Sequence, residues 1–188
     1  MEYKLSILIP TLSSRTEQCL TLVDSLLDQI EKKNYPVEVV TLYDEGQKSI
    51  GTKRNELIQM SKGEYICFVD DDDRIASNYI ELIMDGIAHD VDCCSLRGVI
   101  TWNGMDAAIF EHSIKYKAYI ETENSIKFER FPNHLNCIRK SIANQFYFPD
   151  ISFSEDTDWA TQIFKSGLIK TEYYIDAVIY HYDFIPTK

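Results

Sequence analysis

Two acidic clusters in this 188-residue chain carry side chains that could do chemistry. The first is Asp70-Asp71-Asp72-Asp73, four carboxylates in a row directly after the apolar run EYICFV at 64–69. Like charges this close repel, and burying even one without a partner is costly, so the run expects something positive. Clustered carboxylates are the hard-oxygen ligands of Mg²⁺ or Mn²⁺, and such an ion could in turn hold a diphosphate. The plainer reading is a solvated turn with Asp73 capping the next helix, although a cap needs one acid and the run has four. The second cluster is SEDTDWA at 154–160. There Ser154 is placed to cap a helix whose first turns hold Glu155, Asp156 and Asp158, where the helix dipole favours negative charge.

The elements that must position these groups follow from periodicity. KLSILIP (4–10), PVEVVTLY (36–43) and EYICFV (64–69) read as strands, the first ended by its proline. Between and after them, apolar residues at helical spacing mark helices over 19–30, around Ile50 to Ile58 with Lys62-Gly63 as the stop, and from Tyr79 to Ile87. Alternating strand and helix implies a mainly parallel central sheet flanked by helices, with strands buried on both faces. In such sheets ligands bind at the C-terminal ends of strands. Those ends are Pro10-Thr11, Tyr43-Asp44-Glu45-Gly46 and the aspartate run. The second half is mixed β/α. It shows a hairpin turning at Asn103-Gly104, further β runs near 116–130, a short helix at 139–146, a helix from Ser154 to Ser166 stopped by Gly167, and a last strand at 171–182. The expectation is an α/β chain folding as one domain over 1–188, with a nucleotide-binding half at 1–95 and a smaller mixed half at 96–188.

Bulk properties exclude several functions. A net charge of −11 and a pI near 4.8 argue against a nucleic-acid binder and give no attraction to anionic lipid. The five cysteines lack C-x-x-C spacing and read as small core residues of a reduced, cytoplasmic protein. No signal-peptide pattern opens the sequence, and no apolar run approaches the ~18 residues a transmembrane helix needs.

LSILIPT, the strand ending in YDEG, KRNELIQMSKGEYICFVDDDD and SEDTDWA follow one another in an order that resembles family 2 glycosyltransferases of the GT-A fold, over most of the chain. The D-x-D block preceded by Arg-Asn is its most specific part. The resemblance implies transfer of a sugar from a nucleotide-diphosphate sugar, a UDP-sugar first among them, to a glycan or other hydroxyl acceptor. It implies that Asp70, Asp71 and Asp72 hold the ribose and a Mn²⁺ or Mg²⁺ ion, with Asp72 as direct ligand, and that Pro10, Thr11 and Asp44 line the base pocket. It also places Lys53 and Arg54 near the nucleotide, as counter-charges to base or phosphates rather than an exposed helix face. The family's catalytic base corresponds to Asp156, and a C-terminal metal-binding histidine to His181. After Pro-Thr the family often has an aromatic-Asn pair, where this chain has Leu12-Ser13-Ser14. His134 reads as structural before it reads as acceptor-facing, and His89 and His112 have no informative context. Trp159 packs the base helix, against either the acceptor pocket or the core. Two other classes fit a D-x-D after a strand: a haloacid-dehalogenase-type phosphatase, whose motif lies on the first strand and continues to a threonine, and a non-catalytic nucleotide-sugar-binding module. With no appended acceptor domain, a homodimer or other partner would complete the acceptor site, and attachment to a membrane would be peripheral.

Overall fold

A computed structural model describes residues 2–185. The chain opens with strand β1 (Leu5–Leu12), a single 3₁₀ turn (Ser13–Arg15), helix α1 (Thr16–Lys33), β2 (Val37–Asp44), α2 (Ile50–Met60) and β3 (Tyr65–Phe68). β1 lies between β2 and β3 and pairs with both in parallel. Alternation along β1 sends Leu5, Ile7 and Ile9 into one core, shared with α1, and Leu8 into another, shared with α2. β3 splits likewise, Tyr65 and Cys67 to the first core and Ile66 and Phe68 to the second. This two-sided burial is why these strands read as unbroken apolar runs. Pro10 does not end β1. Pairing with β3 stops at Leu8–Phe68, so past that point β1 has a ladder on the β2 side alone and tolerates a residue without an N–H. Gly63 is not the stop of α2, whose last turn closes at Ser61 in extended conformation. Its missing side chain instead lets it lie against β1, where a Cβ would come within 2.6 Å of the Ser6 nitrogen.

β4 (Arg74–Ile75), α3 (Tyr79–Ile87), β5 (Cys93–Cys94), β6 (Leu96–Trp102) and β7 (Met105–His112) follow. The β6–β7 hairpin turns at Asn103-Gly104, both at positive φ as a type I′ turn needs. Next come β8 (Ile120–Glu121), β9 (Phe128–Arg130), β10 (Ile138–Arg139), α4 (Lys140–Ala143), α5 (Glu155–Ser166), β11 (Glu172–Tyr173) and β12 (Val178–Phe184). The run at 171–182 is therefore two strands, and they belong to different sheets. The first sheet has the order β11-β5-β10-β3-β1-β2, parallel except where β10 meets β3 and β5. The second has the order β4-β12-β6-β7-β9-β8. Sheet membership ignores the boundary near residue 95: β4 joins the second sheet, and β10 and β11 complete the first. Among the described residues no helix is long and apolar enough to cross a membrane, and the five cysteines are buried free thiols.

Candidate active site

The C-terminal ends of β1, β2 and β3 and the first turn of α5 converge on α2, which supplies two buried cations on successive residues. Lys53 Nζ donates to the Thr11 carbonyl and to Asp44 Oδ1, each at 2.8 Å. It thus draws together the ends of β1 and β2, where Pro10, Thr11 and Asp44 were expected to form a base pocket. The Lys53 hydrogen bond, with help from the Lys48 amide, holds the Asp44 carboxyl below its ordinary pKa.

Arg54 turns the other way. Its Nη2 meets Asp70 Oδ1 at 2.9 Å and its Nε meets Glu155 Oε1 at 3.3 Å, while its guanidinium lies 5.1 Å from the centre of the Phe68 ring and 5.8 Å from that of Phe148. Burial opposes the charge on Arg54, but Asp70, Glu155 and Asp156 outweigh it and keep the guanidinium protonated. For Asp70 burial pulls the pKa up, and Arg54 and His134 more than reverse this, leaving it well below the carboxylate range.

The four aspartates form a turn closed by the Asp73 amide on the Asp70 carbonyl at 3.1 Å, but only Asp70 and Asp72 keep part of their side chains in solvent. Asp71 is buried, with one oxygen accepting the Thr11 hydroxyl at 2.6 Å and the other Arg15 Nη1 at 2.9 Å. Asp73 caps no helix: α3 begins at Tyr79, and Asp73 Oδ2 accepts the buried Tyr180 hydroxyl at 2.6 Å. Asp72 keeps a fifth of its side chain exposed, with Arg15 Nη1 3.6 Å away. His181 lies on β12 between Tyr180 and Tyr182. Tyr180 reaches the aspartate run, and burial, with the field of Asp73, Asp72 and Asp70 added, pushes the Tyr182 hydroxyl up to about 12. Strand alternation points His181 to the opposite face, and among the described residues no hydrogen bond or ion pair joins it to the aspartates.

At α5, Ser154 occupies the N-cap position in a left-handed conformation (φ 65°), and its hydroxyl caps nothing. Trp159 is a core residue, stacked on Phe148 at 4.6 Å. Asp156 in the first turn is a quarter exposed, and its Oδ2 lies 3.5 Å from His134 Nδ1. His134 Nε2 lies 3.6 Å from Asp70 Oδ2. Arg54 Nη1, both His134 ring nitrogens and Trp159 Nε1 are buried without hydrogen-bond partners.

No group of three or more Asp, Glu, His or Cys side chains stands ready to enclose a metal among the described residues. An ion completed by substrate phosphates needs only one or two carboxylates, however. Five carboxylates (Asp70, Asp71, Asp72, Glu155 and Asp156) here face the guanidiniums of Arg15 and Arg54, and a diphosphate would add further negative charge. Asp70 and Asp72 are the members of the run with exposed side chains that could reach such an ion.

Arg15, Glu155, Tyr180 and the bridging position of His134 were not foreseen. Arg15 carried a signal as a cation three residues past the end of β1, and Glu155 one as a member of the second acidic cluster.

A family model described as Glycosyl transferase family 2 matches residues 23–148. A sequence search of curated proteins found no match. Among solved structures, S. aureus TarS 1-349 in complex with UDP-GlcNAc is 16% identical with a TM-score of 0.61, covering 98% of this chain and 60% of that one. TarS 1-349 alone is 19% identical with a TM-score of 0.59, covering 96% and 60%. The catalytic domain of Drosophila beta1,4galactosyltransferase 7, in complex with xylobiose, is 13% identical with a TM-score of 0.53, covering 94% and 66%. At these identities the likeness is one of fold, and the chain spans about 60% of the length of these TarS chains.

Proposed function

The chain belongs to glycosyl transferase family 2, and from that membership we propose that it moves a sugar from a nucleotide-diphosphate sugar to a hydroxyl acceptor, inverting the anomeric centre in one displacement. The observation that carries the reading is the Arg54 bridge. One guanidinium holds Asp70 at the donor end of β3 and Glu155 beside Asp156 at the head of α5, so a donor-holding motif and a candidate base are built as one unit. The aspartate run follows the third strand, unlike the phosphatase arrangement, and a pure binding module would not need Asp156.

Thr11, Asp44 and Lys53, with Pro10 beside them, line the base end of the donor site. Asp71 shapes its floor through Thr11 and Arg15, while Asp70, held by Arg54, keeps about a third of its side chain exposed towards the donor. Asp72 would hold Mn²⁺ or Mg²⁺, which when bound neutralises the diphosphate and stabilises the departing nucleotide. A share of His181 in that ion is tested by His181→Ala, which should weaken Mn²⁺ binding and leave metal-free nucleotide binding intact. Asp156 accepts the proton of the acceptor hydroxyl. As that O–H bond breaks, the oxygen bonds to the anomeric carbon from the face opposite the diphosphate, and the bond from carbon to diphosphate oxygen breaks with its electron pair leaving on the nucleotide. One TarS structure is a complex with UDP-GlcNAc and another a complex with UDP, which makes a uridine-diphosphate sugar the first donor to try.

Calorimetry with UDP and UDP-GlcNAc, in Mn²⁺ and in EDTA, tests the reading. Wild type binds more tightly with Mn²⁺, and Asp72→Ala loses that metal-dependent gain while staying folded. Equal affinity in Mn²⁺ and EDTA would remove the metal from the reading, and no binding across a panel of nucleotide sugars would remove the transferase itself.

A further inference from the structure

Four side chains close a circuit around the candidate base. Arg54 holds Asp70, Asp70 faces His134, His134 faces Asp156, and Glu155, the chain neighbour of Asp156, returns to Arg54. His134 is the member that the donor and base motifs do not account for. It sits on a stiff turn. The Asn133 side chain accepts the Leu135 amide, the Asn136 side chain accepts the Asn133 amide and donates to the Cys94 carbonyl, and the His134 carbonyl accepts the Phe68 amide. That turn aims a buried imidazole between two carboxylates with neither ring nitrogen hydrogen-bonded. A histidine serving packing alone would gain nothing from this placement, since buried polar atoms without partners cost roughly 1–3 kcal/mol each. The separations of 3.5 and 3.6 Å are just beyond hydrogen-bond length, as is common for catalytic contacts that tighten only with substrate present.

We propose that His134 is a positioning residue for sugar transfer: through Nδ1 it fixes Asp156 Oδ2 and so presents the other oxygen to the acceptor, while through Nε2 it ties that orientation to Asp70 on the donor side. The proposal rests on Asp156 being the base. It gives the acceptor step a third participant, drawn from the loop before β10, and makes base geometry answer to the donor end of β3.

The test uses UDP-GlcNAc hydrolysis in Mn²⁺, with water in the acceptor's place, together with urea unfolding. His134→Ala lowers kcat by about 10²-fold, the scale of a misplaced reacting group, and leaves the donor KM within about twofold. His134→Asn, whose amide can stand where Nδ1 stood, recovers at least tenfold of that loss. His134→Gln, which reaches towards Asp70 instead, recovers less. In an Asp156→Asn background His134→Ala lowers the rate no further and shifts the urea midpoint by less than half its wild-type effect. The proposal fails if His134→Ala keeps its rate while Asp156→Asn loses it, if Gln rescues as well as Asn, or if the urea shifts are equal in both backgrounds. Full activity in Asp156→Asn sinks the base reading instead, a separate outcome. The urea comparison decides where hydrolysis by wild type is too slow to follow, and the Asn and Gln variants carry both measurements if the alanine variant does not fold.

Discussion

Asp156→Asn keeps the size of the side chain and its ability to accept a hydrogen bond, but it cannot take a proton. General-base contributions are roughly 10²–10⁴-fold, so this variant should bind UDP with Mn²⁺ as wild type does and lose turnover by about that factor. Asp158→Asn is the matching control, exposed in the same first turn. Glu155→Gln is not, because Glu155 is buried against Arg54 and its loss would disturb the donor side as well. Calorimetry paired with initial rates separates the three, and a normal rate in Asp156→Asn would end the mechanism. At this scale the sequence offered candidate groups but not their partners. Lys53 and Arg54 stood out because the resemblance places their stretch beside the nucleotide, as adjacent cations ahead of an acidic strand end. His134 did not, since a lone histidine in a loop carries no trace of Asp70 and Asp156, which only tertiary folding brings to it.

One helix joins the two motifs at the level of elements. The N-terminus of α2 grips the segment before α5: Ser49 and Thr52 both donate to Asp150 Oδ1, the Gly51 amide to the Ile151 carbonyl, and the Ile50 amide to Ser152 Oγ. One turn on, the Asn55 amide exchanges two hydrogen bonds with the backbone of Phe148. Gly51 permits the contact, since a Cβ there would sit 1.9 Å from the Pro149 carbonyl oxygen. Gly51→Ala should therefore cost about 1–3 kcal/mol, the scale of overpacking, and should lower turnover as well, because the displaced segment leads into the helix that bears Asp156. Urea unfolding and hydrolysis rates check both, and an alanine variant with wild-type stability would show that the segment yields easily. Long periodic elements such as β1, α1, β2, α3 and the β6–β7 hairpin were legible in the sequence, because burial imposes a period on them. The two-residue strands β4, β5 and β10 were not, being too short to hold a period. The run at 171–182 is apolar for most of its length and gives no sign that it changes sheets between Tyr173 and Val178.

Across the whole molecule, acid should weaken the fold through a buried pair in the second sheet. Burial, with Arg130 next, pushes His112 down to about 3. Its neighbour Glu111 has burial working against it, yet Lys115, Tyr174, Tyr116 and Arg97 bring it down to about 2. A histidine lowered on folding is neutral in the native state and takes up its proton more readily when unfolded, so stability drains away as pH falls below about 6.5. The Glu111 contribution holds above about 4.5 and fades towards 2, while Glu172, raised by burial, works the other way. Between pH 7 and 5 the His112 share is about 2 kcal/mol. His112→Phe should flatten the fall in urea-unfolding free energy over that interval by about this amount, and an unchanged slope would assign the acid sensitivity elsewhere. The interleaved sheets also bear on how the chain is made. β3 receives its second neighbour only when β10 arrives, and β5 lies between β10 and β11, both from far downstream. Pairings so distant in sequence slow folding, because loop closure must precede any reward. On the ribosome the outer edge of β3 stays bare from the moment it emerges until residues 138–139 follow, and an apolar strand edge left open that long is a template for other chains. Synthesis that pauses near residue 95 would thus favour association over folding, whatever the stability of the finished protein.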